Sequence, residues 1–189
     1  AAIAVAQCVE RGLVDVAQPV ATYVPEFASR AKQTVLVEHL LTHTGGLPLE
    51  EVYEGFRDGE SAHADAWDRV VRRICYGELI WPPGSRCCYS DLGFFLLGEI
   101  VRRVDPKRRP YMQYVREEIF APLGLHDMWV GMPSAEHERY AREDRISHLT
   151  TTGMSPACDS GMAKPAELMA CDPSGNLRAP AAQCVELFV

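Results

Sequence analysis

The stretch Leu92-Gly93-Phe94-Phe95-Leu96-Leu97-Gly98-Glu99-Ile100-Val101-Arg102-Arg103-Val104 carries the strongest indication of fold in this sequence. Its large apolar residues recur at the spacing of an α-helix, at Leu92, Phe95, Leu96, Ile100 and Val104. Gly98 and Glu99 interrupt the apolar run long before it could cross a bilayer. The pattern therefore predicts an amphipathic helix over 92–104 and no membrane span.

Further helices are predicted on both sides of this stretch, from the same spacing and from stop signals. An opening helix over 2–10 meets Gly12, a natural C-cap residue, and Pro122 with Gly124 closes a helix over 110–120. The other predicted helices are Val20 to Tyr23, Glu38 to His43, Asp65 to Cys75, and a last one from Ala179 to Val189. Residues 49–64 and 132–172 are predicted to be mainly loops, with 140–146 the only part of the second stretch that could be ordered independently.

Composition and charge limit the classes of function. The 189 residues are 47% hydrophobic and 24% charged, with a formal net charge of -7. This composition is typical of a globular domain, and the negative charge argues against nucleic acid as a partner. The 7 cysteines include no Cys-x-x-Cys pair, which favours reduced thiols. Localisation stays open: the thiols slightly favour the cytoplasm, and a periplasmic or secreted protein is also possible.

Several strings occur together in one order. They are Leu13-Val14-Asp15-Val16; Glu38-His39-Leu40-Leu41-Thr42-His43-Thr44-Gly45-Gly46-Leu47-Pro48; Pro83-Gly84-Ser85; Tyr89-Ser90-Asp91-Leu92-Gly93-Phe94; Ile119-Phe120-Ala121-Pro122-Leu123-Gly124-Leu125; and Gly175-Asn176-Leu177-Arg178-Ala179. In residues and order they resemble the class C β-lactamase-related serine hydrolases of the serine β-lactamase-like and penicillin-binding-protein superfamily. The resemblance spans nearly the whole chain.

The resemblance implies an α+β fold of the β-lactamase/transpeptidase type. Residues 1–189 would form a single incomplete domain, mainly its helical region, and lack most of the central antiparallel sheet. The nucleophile motif Ser-x-x-Lys is then expected before residue 1, and the final motif, Lys or His followed by Thr or Ser and Gly, after residue 189.

The resemblance also implies a serine hydrolase that acts through an acyl-enzyme on an ester or amide: a short-chain ester, a D-alanyl peptide or a β-lactam. The intact protein is expected to be the enzyme, and the 189-residue segment alone to be inactive. Tyr89 matches the family's tyrosine, the general base or proton relay, and Asp91 stands where many relatives have Asn. Asp91 is expected to pair with the family's lysine, because an ionised carboxylate only accepts hydrogen bonds.

Alternatives remain beside this interpretation. The protein could be a noncatalytic member or inactive fragment that binds ligands or a partner. In purely structural terms, Tyr89 would be a half-buried anchor and Asp91 the N-cap of the following helix. We predict that the protein uses no cofactor and binds no metal; its oligomeric state is unknown from the sequence.

Three internal patterns imitate functional motifs. Ser29-Arg30-Ala31-Lys32 has the letters of Ser-x-x-Lys, but it follows Pro25 in what is predicted to be an exposed polar loop. His43-Thr44-Gly45 copies the family's last motif, yet a turn with a capping histidine is the favoured interpretation. His39 and His43 have a spacing that can ligate zinc, without a convincing third ligand.

Overall fold

The computed structural model describes residues 1–49, 66–126, 128–130, 134–143 and 177–178, most of which are helical or connect helices. In chain order the elements are α1 (Ala2–Glu10), α2 (Val20–Tyr23), a 3-10 helix (Pro25–Ala28), α3 (Val37–Leu41), α4 (Ala66–Tyr76), α5 (Asp91–Val104), α6 (Tyr111–Val115), a π-helix (Arg116–Phe120), β1 (Trp129–Val130), α7 (Ser134–Arg142) and β2 (Leu177–Arg178). No helix within those ranges is both long enough and apolar enough to span a bilayer.

Helix α5 is the centre of the packing. It contacts α1, α2, α3, α4 and α6, so apolar side chains on several of its faces are buried: Leu92, Phe95, Leu96, Leu97, Ile100 and Val101. The helix predicted over 92–104 is confirmed, with Asp91 added at its start. Burial of these large side chains makes α5 a major contributor to the hydrophobic stabilisation of the described core.

A close approach joins α3 to the beginning of α5. A Cβ atom added at Gly93 would lie 3.6 Å from the carbonyl oxygen of Leu40, which is ordinary van der Waals contact. The end of α3 therefore lies directly against the first turn of α5.

Helix α3 ends in a Schellman motif. The amide of Thr44 donates to the carbonyl of His39 at 2.8 Å, and the amide of His43 donates to that of Leu40 at 3.4 Å. His43 takes the left-handed conformation that this motif needs, with φ of 55°. The interpretation of His43-Thr44-Gly45 as a helix-ending turn agrees with this geometry.

A buried carboxylate fixes α5 to its neighbours. Glu99 is fully buried and accepts hydrogen bonds from Trp67, Arg102 and Arg103. Burial raises the pKa of Glu99, but those three donors outweigh it and leave the pKa below its usual value. Because Arg103 also pairs with Glu26, this network connects α4, α5 and the 3-10 helix.

A second ion-pair network follows α5. The guanidinium of Arg109 donates to both carboxylate oxygens of Asp105, each at 2.9 Å, and also to Glu117 and Glu118. These bonds from Arg109 lower the pKa of Asp105 from 3.8 to about 2.

The helix predicted over 110–120 is present, but its second half, Arg116–Phe120, widens to a π-helix.

The short strands β1 and β2 pair antiparallel, with Trp129 opposite Arg178 and Val130 opposite Leu177. Between them in sequence, α7 shows that the prediction of loops from 132 onward was wrong for Ser134–Arg142. The Ala, Glu and Arg residues of that segment are good helix formers, a local signal that the surrounding Gly, Pro and Ser obscured. The loop predicted over 50–64 and the helix predicted from Ala179 lie outside the described residues.

The four described cysteines have free thiols. Cys8 and Cys75 are buried, and Cys87 is exposed. Burial raises the pKa of Cys75 to about 11, so this thiol stays protonated at neutral pH. The prediction of reduced thiols agrees with these four described cysteines.

Candidate active site

Tyr89 lies just before the N-terminus of α5, with 55% of its surface exposed. Its hydroxyl donates a 2.6 Å hydrogen bond to Oδ1 of Asp91. That length lies at the short end of the usual range for O–H···O hydrogen bonds. The structure thus brings together the two side chains that the sequence singled out, and it leaves the phenol accessible from solvent.

Asp91 is the first residue of α5, and Ser90 occupies the N-cap position. The structural alternative is therefore wrong in making Asp91 the N-cap, but Tyr89, which is 55% exposed, is close to the half-buried residue that this alternative expects. A carboxylate in the first turn is favoured by the positive end of the helix dipole. At this position the Asp91 carboxylate accepts the hydrogen bond from the Tyr89 hydroxyl.

The segment that carries Tyr89 is supported by the chain that follows α3. Three hydrogen bonds join them: Cys88 amide to His43 carbonyl, Gly84 amide to Thr44 carbonyl, and Ile80 amide to Gly46 carbonyl, each 2.8 Å long. Residues 80–88 and 43–46 therefore run side by side. Sequence reasoning missed this pairing, because the partners lie more than 30 positions apart and neither segment has a strand period.

Gly46 is where the two segments come closest. Its φ is +76°, and a Cβ atom placed there would lie 2.0 Å from the carbonyl oxygen of Trp81. Only glycine combines that conformation with that approach at no steric cost. The sequence predicted a turn at His43-Thr44-Gly45, but nothing in it indicated which backbone atom the following glycine, Gly46, approaches.

Ser90, the middle residue of the motif, points inward. It is 3% exposed, and its hydroxyl donates to the carbonyl of Pro48 at 2.7 Å. Its buried hydroxyl is therefore an anchor for the motif and is not available as a nucleophile.

Two small hollows lie next to the motif. One is lined by His39, Leu40, His43, Gly45, Leu47, Cys88, Ser90 and Gly93, and the other by Leu47, Pro48, Arg73, Ile74, Gly77, Glu78 and Leu92. Tyr89 lines neither of them. The residue is instead 55% exposed and its hydroxyl is bonded to Asp91, so a substrate would meet it at the surface of the described residues.

Ser29 and Lys32 do not form a nucleophile. The prediction that they lie in an exposed loop was wrong for Lys32, which is fully buried. Its ammonium donates to the carbonyls of Cys75 at 2.7 Å and Gly77 at 2.5 Å, and the Ser29 hydroxyl also donates to Cys75. The pair therefore binds the C-terminus of α4, where a cation is favoured, and burial lowers the pKa of Lys32.

His39 and His43 are both engaged in local backbone bonds. Nδ1 of His39 accepts the amide of Leu36 at 3.2 Å, and Nδ1 of His43 accepts the amide of Ser90 at 3.4 Å. Across the part of the chain that the structure describes, no group of three or more His, Cys, Asp or Glu residues is arranged to hold a metal ion.

The chain is similar to several hydrolases of known sequence. The chain is 36% identical over 152 residues to Esterase EstB of Burkholderia gladioli, covering 74% of this chain and 38% of that protein. It is 33% identical over 112 residues to a putative D-alanyl-D-alanine carboxypeptidase of Escherichia coli K12, covering 56% of this chain and 25% of the relative.

A solved structure supports the fold. A penicillin-binding protein homolog from Caulobacter crescentus superposes with a TM-score of 0.69 and 30% identity, over 98% of this chain and 51% of that one. The architecture is thus β-lactamase/transpeptidase-like, with a mainly helical described part. The chain spans about half the length of this structure and less of the curated relatives. Since the sequence profile named Beta-lactamase matches residues 1–188, the chain belongs to the beta-lactamase family.

Proposed function

We propose that the intact protein is a serine hydrolase that cleaves an ester or amide through an acyl-enzyme, with Tyr89 as general base or proton relay. The observation that carries the proposal is the exposed Tyr89 hydroxyl, hydrogen-bonded to Asp91 at 2.6 Å. Family membership adds the reaction class.

In the proposed acylation, a serine oxygen forms a bond to the substrate carbonyl carbon and gives up its proton. A neutral phenol can accept that proton only if it gives up its own hydroxyl proton. The Tyr89 oxygen therefore receives the serine proton, and the leaving oxygen or nitrogen receives the proton that Tyr89 released. The bond from carbonyl carbon to leaving group then breaks. Deacylation repeats the exchange with water as the nucleophile.

The nucleophile is assigned to residues outside 1–189. Within the described ranges the one Ser-x-x-Lys string, Ser29 to Lys32, binds the end of α4, and the motif serine Ser90 is bound to Pro48. By the family's order of motifs, we propose that the Ser-x-x-Lys turn of this single domain lies before residue 1 and its closing Lys/His-Thr-Gly-type motif after residue 189, so that residues 1–189 alone would be inactive.

Asp91 gives the proposed site its particular character. With Asn at this position, the side chain could both donate and accept; a carboxylate accepts only. In the resting site Asp91 accepts a hydrogen bond from the Tyr89 hydroxyl. In the intact protein, Asp91 would also pair with the ammonium of the family's lysine. The substrate class that fits is a small ester or amide, such as a short-chain ester, a D-alanyl peptide or a β-lactam, as the relatives' names also indicate.

The test is to trap the acyl-enzyme. The intact protein is incubated with a p-nitrophenyl ester and, separately, with a penicillin, and adducts are located by peptide mass spectrometry. We expect an acyl group on a serine of a Ser-x-x-Lys turn outside 1–189. Absence of both an adduct and hydrolysis would contradict the proposal and favour the noncatalytic, ligand-binding alternative.

A further inference from the structure

We propose that His43 is the positioning residue of Tyr89. His43 holds the phenol in place through hydrogen bonds to the residues before and after Tyr89 and through contact of its imidazole with the Tyr89 ring. This inference rests on the function proposed above, and it names a residue that acts through Tyr89 without touching the reacting atoms.

The first support is the backbone of the tyrosine motif. The His43 carbonyl accepts the amide of Cys88 at 2.8 Å, and its Nδ1 accepts the amide of Ser90 at 3.4 Å. These are the residues immediately before and after Tyr89. One residue thus fixes both neighbours of the phenol-bearing residue, which limits rotation of the backbone at position 89.

The second support is the ring. The imidazole of His43 contacts the Tyr89 ring with a centroid separation of 4.8 Å and an angle of 41°. The same imidazole also stacks on the Phe94 ring, with a centroid separation of 5.0 Å and an angle of 14° between the ring planes. Phe94 lies in the first turn of α5, so the imidazole fills the space between the phenol and the rigid helix. Tilted and stacked ring contacts of this kind are favourable beyond the area that they bury.

The third support is the conformation of His43 itself. It occupies the left-handed position of the Schellman motif that ends α3, with φ of 55°. Glycine is the commonest residue at such a position, and asparagine the next, because a side chain there is strained. A helix-ending turn alone would be served better by glycine. The strain is explained if the side chain has a task, and its contacts are with the tyrosine motif.

His39 provides the control for a purely structural role. It lies one turn earlier, on α3, and its Nδ1 likewise accepts a backbone amide, that of Leu36 at 3.2 Å. Its amide partner belongs to α3's own N-terminus and not to the tyrosine motif. Equivalent substitutions at 39 and 43 therefore remove equivalent bonds, but only those at 43 release Tyr89.

The experiment compares His43→Ala and His43→Asn with His39→Ala and His39→Asn in the intact protein. Asparagine tolerates positive φ and carries an acceptor on Cγ, as histidine does, so His43→Asn keeps the turn and the Ser90 bond and loses only the ring. We expect kcat for a chromogenic ester to fall on the order of 100-fold in His43→Ala and about tenfold in His43→Asn. KM should stay within about threefold, since a positioning residue does not bind substrate. Both His39 variants should keep kcat within about threefold.

A second readout is independent of turnover. With 3-fluorotyrosine incorporated, Tyr89→Phe identifies the ¹⁹F resonance of residue 89, which should shift or broaden in His43→Ala but not in His39→Ala. Equal losses of kcat at 39 and 43, or an unchanged resonance in His43→Ala, would overturn the inference. If the wild type shows no turnover, the proposed function fails while the resonance still decides the positioning. If His43→Ala does not fold, His43→Asn decides.

Discussion

The hydroxyl of Tyr89 and the carboxylate of Asp91 form a 2.6 Å hydrogen bond at the start of α5. Both residues belong to one short motif, but they are fixed by different parts of the chain. Asp91 is held by the helix it begins, whereas the segment of Tyr89 is held by the paired residues 43–46. The relative position of the two groups therefore depends on how the end of α3 packs against α5.

Substitution of Asp91 tests whether the site needs a hydrogen-bond acceptor at this position or a negative charge. Asp91→Asn keeps an acceptor oxygen for the Tyr89 hydroxyl, so we expect kcat/KM within about tenfold of wild type. Asp91→Ala removes the acceptor, and we expect a loss on the order of 100-fold. Steady-state kinetics on a chromogenic ester measures both. Equal losses in the two variants would show that the negative charge, and not acceptance, is required.

Substitution of Gly46 tests the close approach that supports the Tyr89 segment. Gly46→Ala meets the Trp81 carbonyl at 2.0 Å, so we expect it to lower the free energy of unfolding by about 3 kcal/mol or more. Gly12→Ala is the matched control, because Gly12 also has positive φ but nothing within 4 Å of an added Cβ. Gly12→Ala should lower the free energy of unfolding only by the cost of placing a side chain at positive φ, about 1–2 kcal/mol. Urea unfolding that gave the same loss for both would contradict the contact.

Lys32 is predicted to be structural. Lys32→Met removes the donor to the carbonyls of Cys75 and Gly77, and we expect the free energy of unfolding to fall by about 2–3 kcal/mol. Lys107→Met is the control, since Lys107 is 67% exposed and 3.6 Å from Glu118, and it should cost less than about 0.5 kcal/mol. Acyl-enzyme formation should persist in the folded Lys32 variant; its specific loss would instead support Lys32 as part of the chemistry.

Asp105 gives a prediction for acid pH. Its pKa falls from 3.8 to about 2 on folding because Arg109 binds it, so the folded state holds the ionised form more strongly than the unfolded state does. The resulting stabilisation, about 2 kcal/mol, is fully present above the unfolded pKa and is lost as pH falls through the folded one.

We therefore expect Asp105→Asn to be less stable than wild type at pH 7, and the difference to disappear between about pH 4 and pH 2. Asp68→Asn serves as control, because Asp68 pairs with Arg102 at a site that is 55% exposed. Urea unfolding at a series of pH values measures both. A difference for Asp105→Asn that stayed constant down to pH 2 would contradict the assignment.

Local sequence signals predicted the helices and the motif, but not the contacts between them. The helix over 92–104 follows from its apolar spacing, and Tyr89 and Asp91 follow from the family resemblance. The burial of Lys32 was missed because its partners, Cys75 and Gly77, lie more than 40 positions away. The role of His43 was hidden in the same way, since a histidine after a short helix has no local pattern that reveals a tyrosine 46 positions later.

The most direct test of the central claim is the rate of acyl-enzyme formation in Tyr89→Phe, measured by rapid quench and mass spectrometry on the intact protein. Removal of the hydroxyl takes away the proton relay and leaves the aromatic ring against His43, so the fold should be unchanged. We expect the acylation rate to fall by about 10²–10⁴-fold. A folded Tyr89→Phe variant that acylates as fast as wild type would contradict the role assigned to Tyr89.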